Sequence, residues 1–169
     1  MLGGTAGPQL NNALASLQPG DDPHVRMQLL LDVAQGEQPE EALQRFDEAL
    51  RIAQQVELVG IAMKARLRRA HALSRTGRTH DAAQAMHELV DEMAQVQPGD
   101  MYYAEAWWIA AQVFEANGDS DHRLLALARG AQWVRRIALP NVPEEFRDSF
   151  LHRNPVNREL LAAADRASR

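Results

Sequence analysis

Apolar residues recur along this chain at intervals of three and four, in stretches broken by glycine or proline. That pattern predicts helix after helix and no strand. Asp21-Asp22-Pro23 offers a cap followed by a proline in the first turn, and Gly36 closes the helix it begins. Gln38-Pro39-Glu40-Glu41 opens the next, with acids where the helix macrodipole favours them, and that helix is expected to run to Val56. Further helices are expected over 57–76, 79–96, 100–117 and 120–139, separated by Gly77, by Pro98-Gly99 and by Gly118. A short helix over 9–18 leads, two more over 143–151 and 155–167 close, and the first eight residues should fray.

Gly36, Gly77 and Gly118 lie 41 residues apart, and other columns keep the same step. Before the glycines stand Leu31, Ala72 and Val113, and Leu29, Ala70 and Ala111; after them stand Ala42, Ala83 and Leu124, Ala49, Val90 and Ala131, and Ile52, Met93 and Val134. With 46% apolar residues, chance fills one such column about one time in ten, so five in one register indicate a repeated helical hairpin. One hairpin cannot bury its apolar face alone, whereas three stacked copies share a core and curve into a solenoid with a concave side. Small residues such as Ala70 and Ala111 let the paired helices approach closely.

AEAWWIAAQVFEANGD, residues 104–119, resembles the first helix of a tetratricopeptide repeat, with Trp107, Ala111, Phe114 and Gly118 in the family's tryptophan, small, aromatic and glycine places. Ala42, Phe46 and Ala49 are similar to the pattern of its second helix. The middle unit keeps Ala70, Leu73, Gly77, Ala82 and Met86, places Arg66 where tryptophan is expected, and follows a Gly36 that is one residue out of register. The 41-residue step exceeds the family's usual length of about 34 and implies longer helices. VPEEFRDSFLHRNPVNRELLAAA, near the C-terminus, is similar to the segment that closes such arrays in large bacterial regulators.

The resemblance implies an all-α fold: a right-handed α-solenoid of about three antiparallel helical hairpins with C-terminal capping helices. Residues 1–20 would be a tail and leading helix, 21–139 the three hairpins and 140–169 the cap. Pro143 and Pro155 would each start a capping helix, with Phe146, Phe150 and Leu151 covering the open apolar end. Functionally the resemblance implies a non-enzymatic protein–protein interaction module, the regulatory or scaffolding part of a bacterial signalling or transcription regulator. Its groove would take a peptide, a partner helix or the protein's own regulatory domains. The alternative is a structural homodimerisation domain in which the groove serves self-association.

Composition narrows the chemistry. At 169 residues one domain is expected, and aromatic residues are only 5%. The formal net charge of −5 gives no general attraction to nucleic acid or to an anionic membrane, so neither is an expected partner. No cysteine is present, which removes disulfides, thiolate catalysis and cysteine metal sites. The N-terminus lacks a signal-type apolar run and no stretch approaches 18 apolar residues, so a cytoplasmic protein is expected.

The adjacent tryptophans are the informative pair, since neighbours on a helix point about 100° apart. Trp107 shares a face with Tyr103, Ala110, Ala111 and Phe114 and is expected in the core. Trp108 shares its face with Glu105, Gln112 and Glu115, a polar stripe on which so large a ring is conspicuous. The equivalent columns hold Arg26 and Leu67, and Leu30 and His71, which in the family would line the concave surface. The candidate partner-binding set is therefore Lys64, Leu67, His71, Arg75, Glu105, Trp108 and Gln112. The competing reading buries Trp108 against a neighbouring unit or cap.

The basic run Lys64, Arg66, Arg68, Arg69, Arg75 and Arg78 invites an anion, but it wraps most of a helix and is better read as an ion-paired face with Asp81, Glu88 and Asp91. His87-Glu88 begins like a zinc helix, but Asp91 stands where the second histidine belongs. The glycine and acids of 118–122 read as a helix cap. No catalytic residue, metal site or cofactor is expected.

Overall fold

The computed structural model describes residues 6–18, 20–96, 99 and 101–168, and its regular elements are helical, with no strand among the described residues. Residues 1–5 and Pro98, where fraying and a helix break are expected, lie outside them. The chain forms two compact units, Met1–Asp100 and Met101–Arg169. No helix among the described residues is long and apolar enough to cross a membrane.

The first unit contains α1 (Ala6–Ser16), α2 (Pro23–Gly36), α3 (Pro39–Gln55), α4 (Val59–Arg75) and α5 (Thr79–Gln95), each packed on its successor. The Asp22 carboxylate accepts from the His24 N–H at 2.8 Å and caps α2. Pro39, Glu40 and Glu41 fill the first turn of α3. Met27, Leu30 and Leu31 of α2, Phe46 and Ala49 of α3, and Ile61, Ala65 and Ala72 of α4 make one continuous core.

Helix α4 lies between α3 and α5, so two of its faces are covered. Ile61, Ala65 and Ala72 face the α2–α3 core; Met63, Leu67 and Ala70 fall about half a turn away and are buried as well. Leu67, expected on an open binding surface, is therefore a packing residue at 3% exposure. Leu30 is likewise fully buried, and Arg26 is tied to Glu48 at 2.8 Å, so neither opens a concave column on α2.

The turns separate the three glycines into two kinds. Gly77 and Gly118 adopt φ of +82° and +74°, and each lets the next residue's N–H return to the helix, Arg78 to Leu73 and Asp119 to Phe114. Glu57, at φ +55°, makes the same turn after α3 without glycine's help. Gly36 instead belongs to the last turn of α2, and the chain leaves the helix through extended backbone at Glu37. The apolar columns are buried at every position except Leu29, which is half-buried, and Leu124, which is 42% exposed.

The second unit contains α6 (Tyr103–Ala116) and α7 (Ser120–Gln132), a π-helical turn at Trp133–Ala138, and 3-10 turns at Leu139–Asn141 and Glu144–Phe146. A second π-helical turn at Ser149–Arg153 precedes α8 (Pro155–Ala167). Helix α7 packs on α6, and α8 packs against both. Trp107, Tyr103, Ala110, Ala111 and Phe114 are buried as their spacing predicts, and the Arg129 guanidinium lies 5.4 Å over the Trp107 ring. Asp119 caps α7 by accepting from the His122 N–H at 3.1 Å.

The closing segment covers this core differently from expectation. Pro143 precedes an unbroken helical stretch over 144–153, as expected, 3-10 at Glu144–Phe146 and π-helical at Ser149–Arg153, but Phe146 is 58% exposed and does not cover the core. Phe150 and Leu151 are half-buried, while α8 contributes the fully covered residues Leu160, Ala163 and Ala164. Asn157, wholly buried, ties the segment down: it accepts from the Tyr102 hydroxyl at 2.6 Å and donates to the Phe150 carbonyl at 2.8 Å.

Candidate functional site

Between its two buried faces, α4 presents one narrow polar stripe. At about 100° per residue, Lys64, Arg68, His71 and Arg75 fall within roughly a sixth of the circumference. Lys64, Arg68 and His71 are half-buried and Arg75 is exposed. The stripe is narrow because both neighbouring helices claim the apolar positions on either side of it.

His71 and Arg75 open into a cleft of about 160 Å³, whose lining includes Arg68, Glu37, Pro39 and Phe46. Of the four candidate residues on α4, the structure brings these two together in a cleft and leaves Lys64 a turn away along the same stripe. Across from them, Glu37 follows Gly36 at the end of α2. One of its carboxylate oxygens, Oε1, faces the Arg45 guanidinium at 3.3 Å; the other, Oε2, is buried and accepts no hydrogen bond. The cleft therefore mixes a carboxylate with guanidinium groups.

Sequence reasoning missed Glu37, and it placed Arg68 in the ion-paired basic run and not among the partner-binding residues. Arg68 could have been found, because 68, 71 and 75 keep the three and four spacing of one helix face. Glu37 could not, since its place depends on the extended turn between α2 and α3.

In the second unit, Glu105, Trp108 and Gln112 are half-buried along one stripe of α6. From Tyr103 to Phe114 every other residue of that helix is buried. Trp108 thus keeps part of its ring accessible on a helix that is otherwise enclosed.

The remaining basic residues are engaged elsewhere, Arg66 and Arg69 on the far side of α4 and Arg78 at the start of α5. Arg69 meets Asp47 at 2.6 Å, Arg66 pairs with Glu92, and Arg78 meets Asp81 at 2.7 Å. An ion-paired face is what the sequence suggested, although two of the acids, Asp47 and Glu92, come from other positions. A second cleft, of about 550 Å³, lies in the second unit between α7 and α8, with Leu124, Leu127 and Ala164 on its walls and Arg135 and Arg136 among its polar groups.

Comparison with protein-family models, with curated proteins and with solved structures finds no match to this chain.

Proposed function

We propose that this chain is a non-enzymatic, tetratricopeptide-like interaction module: a right-handed solenoid of long helical hairpins forming the cytoplasmic regulatory or scaffolding part of a bacterial signalling or transcription regulator. It takes a peptide, a partner helix or its own regulatory domain, with the stripe of α6 in the second unit and the stripe of α4 in the first each a candidate surface by itself. The observation that carries this reading is Trp108. A large ring left partly accessible between Glu105 and Gln112, on a helix otherwise buried, is a suitable hydrophobic anchor with polar contacts on either side. Lys64, His71 and Arg75 supply the corresponding polar stripe on α4.

A displayed library of random peptides panned against the intact chain tests the reading. Enriched peptides are expected to bind at least one of Trp108→Ala and Lys64→Ala/Arg75→Ala at least tenfold more weakly while circular dichroism shows both variants folded. No enrichment, or binding indifferent to both variants, overturns it.

Leu124 and Leu125 give the structural alternative its own support, because both are large apolar residues more than two-fifths exposed on α7. Under that reading a second copy covers them. Sedimentation across a dilution series separates the two readings, since an obligate dimer does not dissociate and a monomeric module has nothing to dissociate.

A further inference from the structure

We propose that α7 and the π-helical turn that continues it pair with the same segment of a second copy of this chain, antiparallel about a twofold axis at Ala128, as a dissociable homodimer. The proposal rests on the self-association reading for its occupant, and it uses none of the partner-binding residues of α4 and α6.

The exposed positions of α7 form one stripe. Asp121, Leu124, Leu125, Ala128 and Gln132 are all exposed, and at about 100° per residue they span roughly a quarter of the circumference. Leu124 and Leu125 are 42% and 45% exposed, an apolar patch that favours a cover. The stripe continues into the π-helical turn Trp133–Ala138. A turn closed by i→i+5 bonds takes up about one extra residue, so Arg136 comes round to the place that Arg135 would hold in an α-helix, in line with Asp121. Arg135 is left on the side of α8 and pairs with Asp165 at 2.7 Å. Arg136 and Asp121 are exposed and make no ion pair among the described residues.

This stripe complements itself in one orientation. In a parallel pair Asp121 would face Asp121 and Arg136 would face Arg136. In an antiparallel pair centred on Ala128, residues equally far before and after that alanine come level, so Asp121 of each copy meets Arg136 of the other. The two helix macrodipoles are then opposed as well. Shape agrees with charge. Beside the stripe, Ala128, Ala131, Ala164 and Ala167 leave the cleft of about 550 Å³ between α7 and α8. Leu124 lies on the cleft side of its own stripe, and the twofold brings it level with Gln132 of the other copy, into that copy's cleft, as a large side chain among small ones. Leu125, on the opposite side of the stripe, lies along the Gln132 side chain of the other copy. One helix face from each chain makes a small interface, and interfaces of that size are weak and dissociable.

Sedimentation of the intact protein between about 1 µM and about 1 mM tests the proposal, with a monomer–dimer equilibrium expected inside that range. Asp121→Arg and Arg136→Asp should each raise the dissociation constant about tenfold or more, because each sets like charges together twice across the twofold. An equimolar mixture of the two variants should associate within about threefold of wild type, since both contacts of the mixed dimer again join opposite charges. Leu124→Ala, at an exposed position, keeps the fold and should weaken the dimer about tenfold, so the pairing stays readable if circular dichroism shows a charge variant unfolded. A chain monomeric throughout overturns this proposal and the self-association reading together and leaves the cleft to another occupant. A dimer still intact at the lowest concentration, one that these variants leave unchanged, or one that the mixture fails to recover overturns the α7 pairing alone.

Discussion

At the scale of single residues, the second unit rests on two places where substitution has no slack. Gly130 lies within α7, where alanine would ordinarily stabilise a helix by about 0.5 to 1 kcal/mol. Here an added Cβ would meet Leu160 Cδ2 and Trp107 Cβ, each at 2.9 Å. Leucine can turn its terminal methyl away, but Trp107 Cβ is fixed to the backbone of α6, so the helices must part. Overpacking of this kind costs about 1 to 3 kcal/mol and outweighs the propensity gain. Gly130→Ala is therefore expected to lower the urea midpoint, and a midpoint equal to or above wild type would show that the helices do not meet at this position. Tyr102 is the second place. Burial pushes its phenol up from the usual value near 10, and the Glu105 carboxylate pushes it the same way. A folded state that holds the proton more tightly than the unfolded chain is stabilised below about pH 10, and that contribution disappears as pH rises through the raised value. Stability should fall more steeply above pH 10 in wild type than in Tyr102→Phe. Tyrosinate absorbance identifies the group, since Tyr103 is the one other tyrosine in the chain.

At the scale of elements, the glycines that mark the 41-residue step make opposite predictions. Gly77 and Gly118 sit at positive φ, where a Cβ costs about 1 kcal/mol, whereas Gly36 is helical with open space around it. Gly77→Ala and Gly118→Ala should each destabilise by about that amount, while Gly36→Ala should stabilise by about 0.5 kcal/mol or more in denaturant unfolding of the intact chain. Three shifts of one sign would remove the distinction. The helices themselves were legible in the sequence because caps, prolines and the apolar period act locally: Asp22, Pro39, Asp119 and Pro155 all start helices as read. What was not legible depends on what packs against a face. Leu67 and Trp108 occupy one column, yet the first lies in the row of Met63 and Ala70 on a doubly covered helix, while the second keeps part of its ring accessible. Phe146 reads as a covering residue and is exposed, although the helical stretch over 144–153 that carries it forms as read. Half of the cleft was visible as His71 and Arg75; its acid, Glu37, was hidden by a turn that no local signal announces.

At the scale of the molecule, the second unit is small and builds its core from few residues. Domains of that size bury only about 60% of the surface their unfolded chains expose and stand near the lower limit of independent stability. Helix α8 supplies Leu160, Ala163, Ala164 and Asn157 to that core, all covered in the folded chain. Burial of one leucine side chain is worth about 1.5 to 3 kcal/mol, and loss of α8 would also leave the partly buried Tyr102 hydroxyl without its acceptor. Truncation after residue 142 therefore removes stabilisation comparable with what a small domain has in total, typically about 5 kcal/mol at the low end. The truncated chain is expected to lose more helical circular dichroism than the deleted residues account for and to bind an apolar dye that wild type excludes. Leu160→Ala, which leaves α8 in place, should give the intermediate case of about 2 to 5 kcal/mol. A truncated protein as stable as wild type, with no new dye binding, would mean that α8 is an appendage and that α6 and α7 find their cover elsewhere.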